Sequence, residues 1–282
     1  MTITTTAAAK EAVRRLNGTW HGSYGKALCP AHNDKRPSLS ITPGRDAVLF
    51  HCFAGCSQAA IMEALSKQGS YVRPTARDPD PPQRRDLAPL ARDLWSKALP
   101  LPGTPAQLYL ESRRLGHSTI GRYDPAALTY EGDKRLRLPA LFLPIIERRE
   151  IVALARVFVD RDGNKHPLLE DAKRTLGDPR GGTVRIGQLD GDHLNLAEGF
   201  EEAESVIALF GLPGCWSVNG AELYTRVHIP DHIRTITIYS QHGTAASNGV
   251  AKATPHLSAG GRRIKVELPP PGGDWNDAWR AA

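Results

Sequence analysis

The sequence predicts a multidomain chain of mixed α+β and α/β class. It has a small N-terminal ribbon held by a metal ion, a middle α/β module, and a C-terminal parallel sheet covered by helices. Three observations predict this. Three of the four cysteines lie between residues 29 and 56, in two close pairs completed by a histidine. Residues 70–88, SYVRPTARDPDPPQRRDLA, carry four prolines and seven charges with no apolar period, and read as a linker. From residue 193 onward, strand-like and helix-like segments alternate, the pattern of a parallel sheet.

Bulk properties narrow the class. A chain of 282 residues that is 40% hydrophobic can build two or three small cores. The net charge of +6 favours a polyanionic partner. No apolar run approaches the ~20 residues that cross a membrane. The N-terminus, MTITTTAAAKEAVRRLNG, lacks the apolar core of a secretory signal, so a cytoplasmic protein is expected. In a reducing compartment, close cysteine pairs point to metal rather than disulfides.

Residues 1–69 are expected to hold the ribbon and its flanking helices. AAKEAVRRLN reads as a helix, SLSIT and AVLFHC as strands around a Pro-Gly turn, and SQAAIMEALSK as a helix capped by Ser57. In that helix Ile61, Met62 and Leu65 face inward. Residues 89–190 form the middle module, with one helix in LAPLARDLWSKALP and a second starting at Thr104-Pro105. Strands follow in LPALFLPII, EIVALARVFVD and VRI. Residues 191–282 hold strands LNLAE, CWSVNG, TITIYS and RRIKVELP, helices EEAESVIALFG and ASNGVAKATPHLSAG, and a closing DWNDAWRAA. Catalytic groups in such sheets gather at the carboxyl ends of the strands.

Cys29 and His32 form a Cys-x2-His pair, and Cys52 and Cys56 a Cys-x3-Cys pair nineteen residues later. Zinc takes four such ligands in a tetrahedron, often as two pairs on two turns. In so small a segment the metal supplies much of the folding energy. With four protein ligands it has no open position, so its role is structural. His51 adjoins the site but should point away from it, because strand side chains alternate. Trp20 and Phe53 are expected to pack under the ribbon.

CPAHNDKRPSLSI…LFHCFAGC resembles the zinc ribbon of bacterial and phage DNA primases over roughly residues 19–66. The resemblance implies contact with single-stranded template, through Lys35 and Arg36 in the basic segment. LNLAEGFEEAESVIALFG resembles the first motif of the Toprim fold, with Glu198-Gly199 at the end of a strand. SVNGAEL resembles the following turn at Gly220, and GGDWNDAWR the late acidic motif, at Asp274 and Asp277. TPAQLYLESRRLG, LPALFLPI, ARVFVDRDGNK and KRTLGDPRGG resemble the module that precedes Toprim in phage and plasmid primases. That resemblance implies basic residues directed at nucleotide and template: Arg156, Lys165, Lys173, Arg174 and Arg180. It also implies Glu198, Asp274 and Asp277 as catalytic residues, with Mg2+ or Mn2+ as the catalytic metal.

The chain departs from the Toprim pattern at one place. The Asp-x-Asp expected after the third strand falls on Gln241 and Gly243, in YSQHGTAAS. No Asp or Glu lies between Asp231 and Glu267, so shifting the register does not restore the pair. The resemblance leaves two readings open. In one, a DNA primase of DNA replication binds single-stranded DNA and ribonucleoside triphosphates and synthesises short RNA primers. In the other, a catalytically degenerate Toprim protein serves replication as a DNA-binding or helicase-associated accessory. No Gly-x4-Gly-Lys-Ser/Thr occurs, so unwinding would come from a separate replicative helicase.

Overall fold

The computed structural model describes residues 2–78, 86–116 and 120–282. The chain divides into two compact units, Met1–Arg85 and Asp86–Ala282.

The first unit opens with helix α1 (Thr5–Arg15), followed by strands β1 (Thr19–Trp20), β2 (Gly25–Ala27), β3 (Leu39–Pro43) and β4 (Val48–Cys52), and helix α2 (Gln58–Lys67). The strands form one antiparallel sheet in the order β1-β2-β3-β4. Alternation decides which face is buried: Leu39, Ile41, Val48 and Phe50 point into the core, and Leu49 and His51 point out. The small side chains of Ala8, Ala9 and Ala12 let α1 lie close on that face, and all three are buried. At the closest approach a Cβ on Gly25 would stand 2.1 Å from Val13 Cγ2, so a larger residue there would push helix and strand apart. Ser57 accepts from the Ala60 N–H and caps α2, with Ile61 and Leu65 buried. Trp20 packs against this core, but Phe53 does not: it is 71% exposed and stacks edge-on with His51. The reason is parity, since Phe53 follows the inward Cys52 and faces outward with the turn.

Part of the proline-rich stretch packs onto this unit. Asp78 accepts from the Thr5 hydroxyl and, at 2.8 Å, from the Thr6 N–H, placing a negative charge at the α1 N-terminus. Residues 79–85 of that stretch lie outside the described residues.

The second unit begins with helices α3 (Ala88–Lys97) and α4 (Pro105–Ser112). Thr104 accepts from the Gln107 N–H to cap α4, with Pro105 in its first turn. Strands β5 (Arg122–Glu131), β6 (Lys134–Glu147), β7 (Glu150–Phe158) and β8 (Lys173–Leu176) make an antiparallel sheet in that order. β5 was not expected, because Pro125 argues against a strand. The structure tolerates it through a register shift between Asp124 and Ala127.

The chain continues through β9 (Val184–Gly187), β10 (His193–Ala197), α5 (Phe200–Phe210), β11 (Gly214–Ser217), β12 (Thr235–Tyr239), α6 (Thr244–Leu257), β13 (Arg263–Glu267) and α7 (Trp275–Ala281). The sheet order is β13-β12-β10-β11-β9. Strands β10 to β13 are parallel where they pair, and β9 is an antiparallel edge. Leu141, Leu143 and Ile145 of β6 share one core with Ile186 of β9, Phe200 and Val206 of α5, and Cys215 of β11. That shared core fixes the start of β8 beside the carboxyl end of β10.

Candidate functional site

In the first unit, the ligand atoms of Cys29, His32, Cys52 and Cys56 all lie within 4.8 Å of one another. Cys29 and His32 sit in the turn after β2, while Cys52 ends β4 and Cys56 closes the following turn. His32 directs Nδ1 at the thiols, 3.2 Å from Cys56 Sγ and 4.0 Å from Cys52 Sγ. These spacings suit a tetrahedral zinc site, whose S···S and S···N edges are about 3.5–3.8 Å from ordinary bond lengths. Burial raises the Cys52 thiol, but the Ser38 hydroxyl and the N–H groups of Cys56 and Ala54 outweigh it and bring it down to about 6. Sequence reasoning missed Asp34, which organises this loop. Its carboxylate accepts from the Cys29 N–H at 2.8 Å, from the Ser38 N–H at 3.2 Å and from the Ser38 hydroxyl at 2.5 Å. Its other oxygen lies 3.6 Å from His32 Nε2. These donors hold its carboxyl well below the usual range. One carboxylate thus positions three parts of the ligand set. Lys35 and Arg36 are exposed on the same loop.

In the second unit, a cavity of about 300 Å³ opens at the carboxyl end of β10. It brings together four of the residues expected from the sequence: Glu198, Arg156, Lys173 and Arg174. Asn219 and Gly220, from the turn after β11, close one side. Burial raises the Glu198 carboxyl and nearby Glu222 adds to this, while the Ala221 N–H and Lys173 oppose it. Arg156, on β7, is only 9% exposed, and its guanidinium lies over the Phe158 ring, on the sheet face away from Glu198, where Asp124 acts on it by charge. It donates to the Leu128 carbonyl at 2.8 Å, its Nε is buried without a partner, and burial lowers it to about 10. Arg174 is tied to its own sheet by Glu131, the Tyr130 carbonyl and Thr129. Lys165 is exposed on the loop after β7, and Arg180 pairs with Asp86 at 3.1 Å in an exposed turn, so neither reaches the cavity.

Two further cavity residues, Glu201 and Glu202, were not expected from the sequence. Two acids in the first turn of a helix suit its dipole and read as solvated charge, yet both are buried. Glu201 is met by Lys173 Nζ at 2.8 Å, Arg113 Nη1 at 3.2 Å and the Tyr109 hydroxyl. Burial would raise its carboxyl, but Lys173, Tyr109 and Arg113 hold it below its ordinary value. Glu202 folds back on its own helix. A Cβ on Gly199 would stand 2.1 Å from Glu202 Oε2, so the glycine of Glu198-Gly199 makes room for this carboxylate. Glu202 Oε1 accepts from Gln241 Nε2 at 2.9 Å, and burial raises its carboxyl.

The remaining acidic candidates are engaged with one another. Asp274 caps α7, accepting from the Asp277 N–H at 2.8 Å, and Asp277 accepts in return from the Asp274 N–H at 3.2 Å. They line a different hollow, with Pro269–Gly273. His242 bonds the Pro269 carbonyl at 2.8 Å. Gly243, where a second aspartate was expected, begins α6 with φ of 109°, a backbone conformation that disfavours any side chain. Among the described residues, only the Cys29–Cys56 cluster groups three or more metal-ligating side chains. A magnesium or manganese ion needs several charged oxygens on one point, and the side chains at the ends of β10 and β12 do not bring them together.

Residues 193–282 match the family described as Toprim domain. The C-terminal region is a Toprim domain. Residues 85–186 match a family described as a domain of unknown function (DUF7146). No curated protein matches the chain. Among solved structures, the chain is similar to a DNA primase domain from Pseudomonas aeruginosa, with 16% identity over 69% of this chain and 74% of that one and a TM-score of 0.48. It is similar to the zinc-binding and RNA polymerase domains of Aquifex aeolicus primase, with 15% identity over 100% of this chain and 83% of that one and a TM-score of 0.48. It is also similar to the primase fragment of bacteriophage T7 primase-helicase protein, with 14% identity over 91% of this chain and 95% of that one and a TM-score of 0.40.

Proposed function

We propose that the chain is a DNA primase-like protein of DNA replication. In this reading the Cys29, His32, Cys52 and Cys56 cluster holds a structural zinc ion. Lys35 and Arg36, exposed beside it, meet the phosphates of single-stranded DNA. The Glu198 cavity takes a nucleoside triphosphate, with Lys173 supplying positive charge. The observation that carries this reading is the cavity at the carboxyl end of β10, where Glu198, Lys173 and the Asn219-Gly220 turn line one space.

Two readings of the chemistry part after the nucleotide has bound. Primer synthesis is favoured by Glu198, which lines the cavity with its carboxyl raised by burial, as a proton acceptor from an attacking hydroxyl needs. A degenerate site that binds without joining nucleotides is favoured by Gln241 and Gly243, and the geometry supports this second reading better. Carboxylates that would bind divalent metal for phosphoryl transfer are replaced or already engaged. Incorporation of labelled ribonucleotides on single-stranded DNA, with magnesium and then with manganese, separates the two. Salt-dependent DNA binding with no product under either metal is the expected result. A product that Glu198→Gln abolishes would establish primer synthesis instead. The double variant Lys35→Ala/Arg36→Ala is expected to weaken DNA affinity without changing its sequence preference.

A further inference from the structure

The acidic end of the C-terminal sheet is charge-balanced by the chain itself. Lys173, the first residue of β8, places Nζ 2.8 Å from Glu201 Oε1. The same ammonium draws the carboxyls of Glu198, Glu201 and Glu202 downward by charge. Among the described residues it is the one basic group acting on all three. The second oxygen of Glu201 is taken by Arg113. One oxygen of Glu202 is taken by the Gln241 amide, and the other lies against Gly199, buried without a hydrogen-bond partner. A divalent ion arriving here would meet an ammonium already seated and an amide presenting its N–H, both positive toward the incoming charge.

We infer that Lys173 is the resident cation of this pocket, with the Gln241 amide as its companion, and that together they replace a divalent metal. Two protein groups do the work of an exchangeable ion: Lys173 pairs with Glu201, and Gln241 donates to one oxygen of Glu202. The pocket is therefore closed to magnesium and manganese. This goes beyond the functional reading above, and metal uptake is measured separately from primer formation.

The test is a manganese titration of the full chain with its zinc bound, read by the electron paramagnetic resonance signal of free Mn2+. The wild-type chain is expected to leave the free signal intact. Lys173→Met removes the seated charge and is expected to bring on manganese binding at least tenfold tighter than wild type. Lys173→Gln, which keeps a hydrogen-bonding group beside Glu201, serves if the methionine variant is unstable. Gln241→Asp, which turns the amide donor into a ligand, is expected to gain binding as well. Thermal unfolding confirms that each variant is folded. Manganese uptake by the wild type that Glu198→Gln or Glu202→Gln releases overturns the inference. Folded Lys173 variants that take up no manganese overturn it equally, because the site would then be closed for another reason.

Discussion

The Cys29–Cys56 cluster and the acidic end of the Toprim sheet are two places where the sequence points to a metal, and they have opposite chemistry. In the first, four ligand atoms converge and the surrounding groups serve them: Asp34 orders the loop, and Ser38 with backbone N–H groups favours the Cys52 thiolate. In the second, four acids have each turned at least one oxygen to a partner from the chain, while Glu202 Oε2 stays buried without one. Glu201 takes Lys173, Arg113 and Tyr109, Glu202 takes Gln241, and Asp274 and Asp277 take each other. The difference shows how a metal site is recognised. The number of ligand-type residues is similar in both. What separates them is whether the side chains leave their lone pairs unspent on a common point.

The largest effect should come from breaking the first site. Cys52→Ser, or removal of zinc by a chelator, is expected to unfold the Met1–Arg85 unit, since bound structural zinc contributes on the order of 10 kcal/mol. The Asp86–Ala282 unit, with its own cores, should keep its unfolding transition. Zinc content per chain and circular dichroism check this. A first unit that stays folded without metal would erase the contrast between the two sites.

The next effect comes from the second site. Glu201→Ala leaves the buried Tyr109 hydroxyl and half-buried Arg113 without their acceptor, while the exposed Lys173 ammonium can turn to water. Leaving a buried hydrogen-bonding group unpaired costs about 1–3 kcal/mol, read from urea unfolding of the second unit. The pH dependence sharpens the point because neighbouring glutamates have opposite signs. Glu201 is held below its ordinary value, so the folded chain binds fewer protons there than the unfolded one. Its contribution is complete above the ordinary carboxylate range and is lost as the pH falls through the folded value. Glu202 is raised by burial, so its ionisation opposes folding as the pH rises above that range. Glu201→Gln should therefore cost most near neutrality. Glu202→Gln should gain on wild type as the pH rises.

How much of this was legible depended on how far apart the partners lie in the chain. Cys29, His32, Cys52 and Cys56 fall in two tight pairs, so their spacing alone announced the cluster that the fold brings together. The absence of the Asp-x-Asp pair could also be read directly, at Gln241 and Gly243. The parallel sheet, the caps at Ser57 and Thr104 and most strands followed from local pattern. Glu201 was not legible, because Tyr109, Arg113 and Lys173 reach it from two distant segments. Strand β5 escaped because Pro125 obeys a local rule that a bulge overrides. β1 and β2 escaped because two or three residues carry no period. Asp34 looked like a loop charge, and its function shows only in the hydrogen bonds it accepts.

Asp34 gives a smaller test of the first site. Asp34→Ala keeps all four ligands and removes the carboxylate that accepts from Cys29 and Ser38. Loss of such a supporting group lowers metal affinity about 10–100-fold. Competition with a chromophoric zinc chelator should show that drop with the stoichiometry unchanged. An unaltered affinity would mean that the ligands are placed by the strands alone.

The smallest effect distinguishes a cap from a ligand. Asp274 and Asp277 were expected as catalytic acids, and in the structure they hold the first turn of α7. Asp274→Ala should lower the stability of the second unit by about 1 kcal/mol, the usual loss for an N-cap. Asp274→Ser should restore most of it, because a hydroxyl caps nearly as well as a carboxylate. A metal ligand behaves differently, since serine would not replace its charge. If stability follows the hydroxyl, the acid is explained by the helix, and the second site has one carboxylate fewer to offer a cation. If Asp274→Ala leaves stability unchanged but alters manganese binding, the late acidic motif belongs to a metal site and the contrast between the two regions narrows.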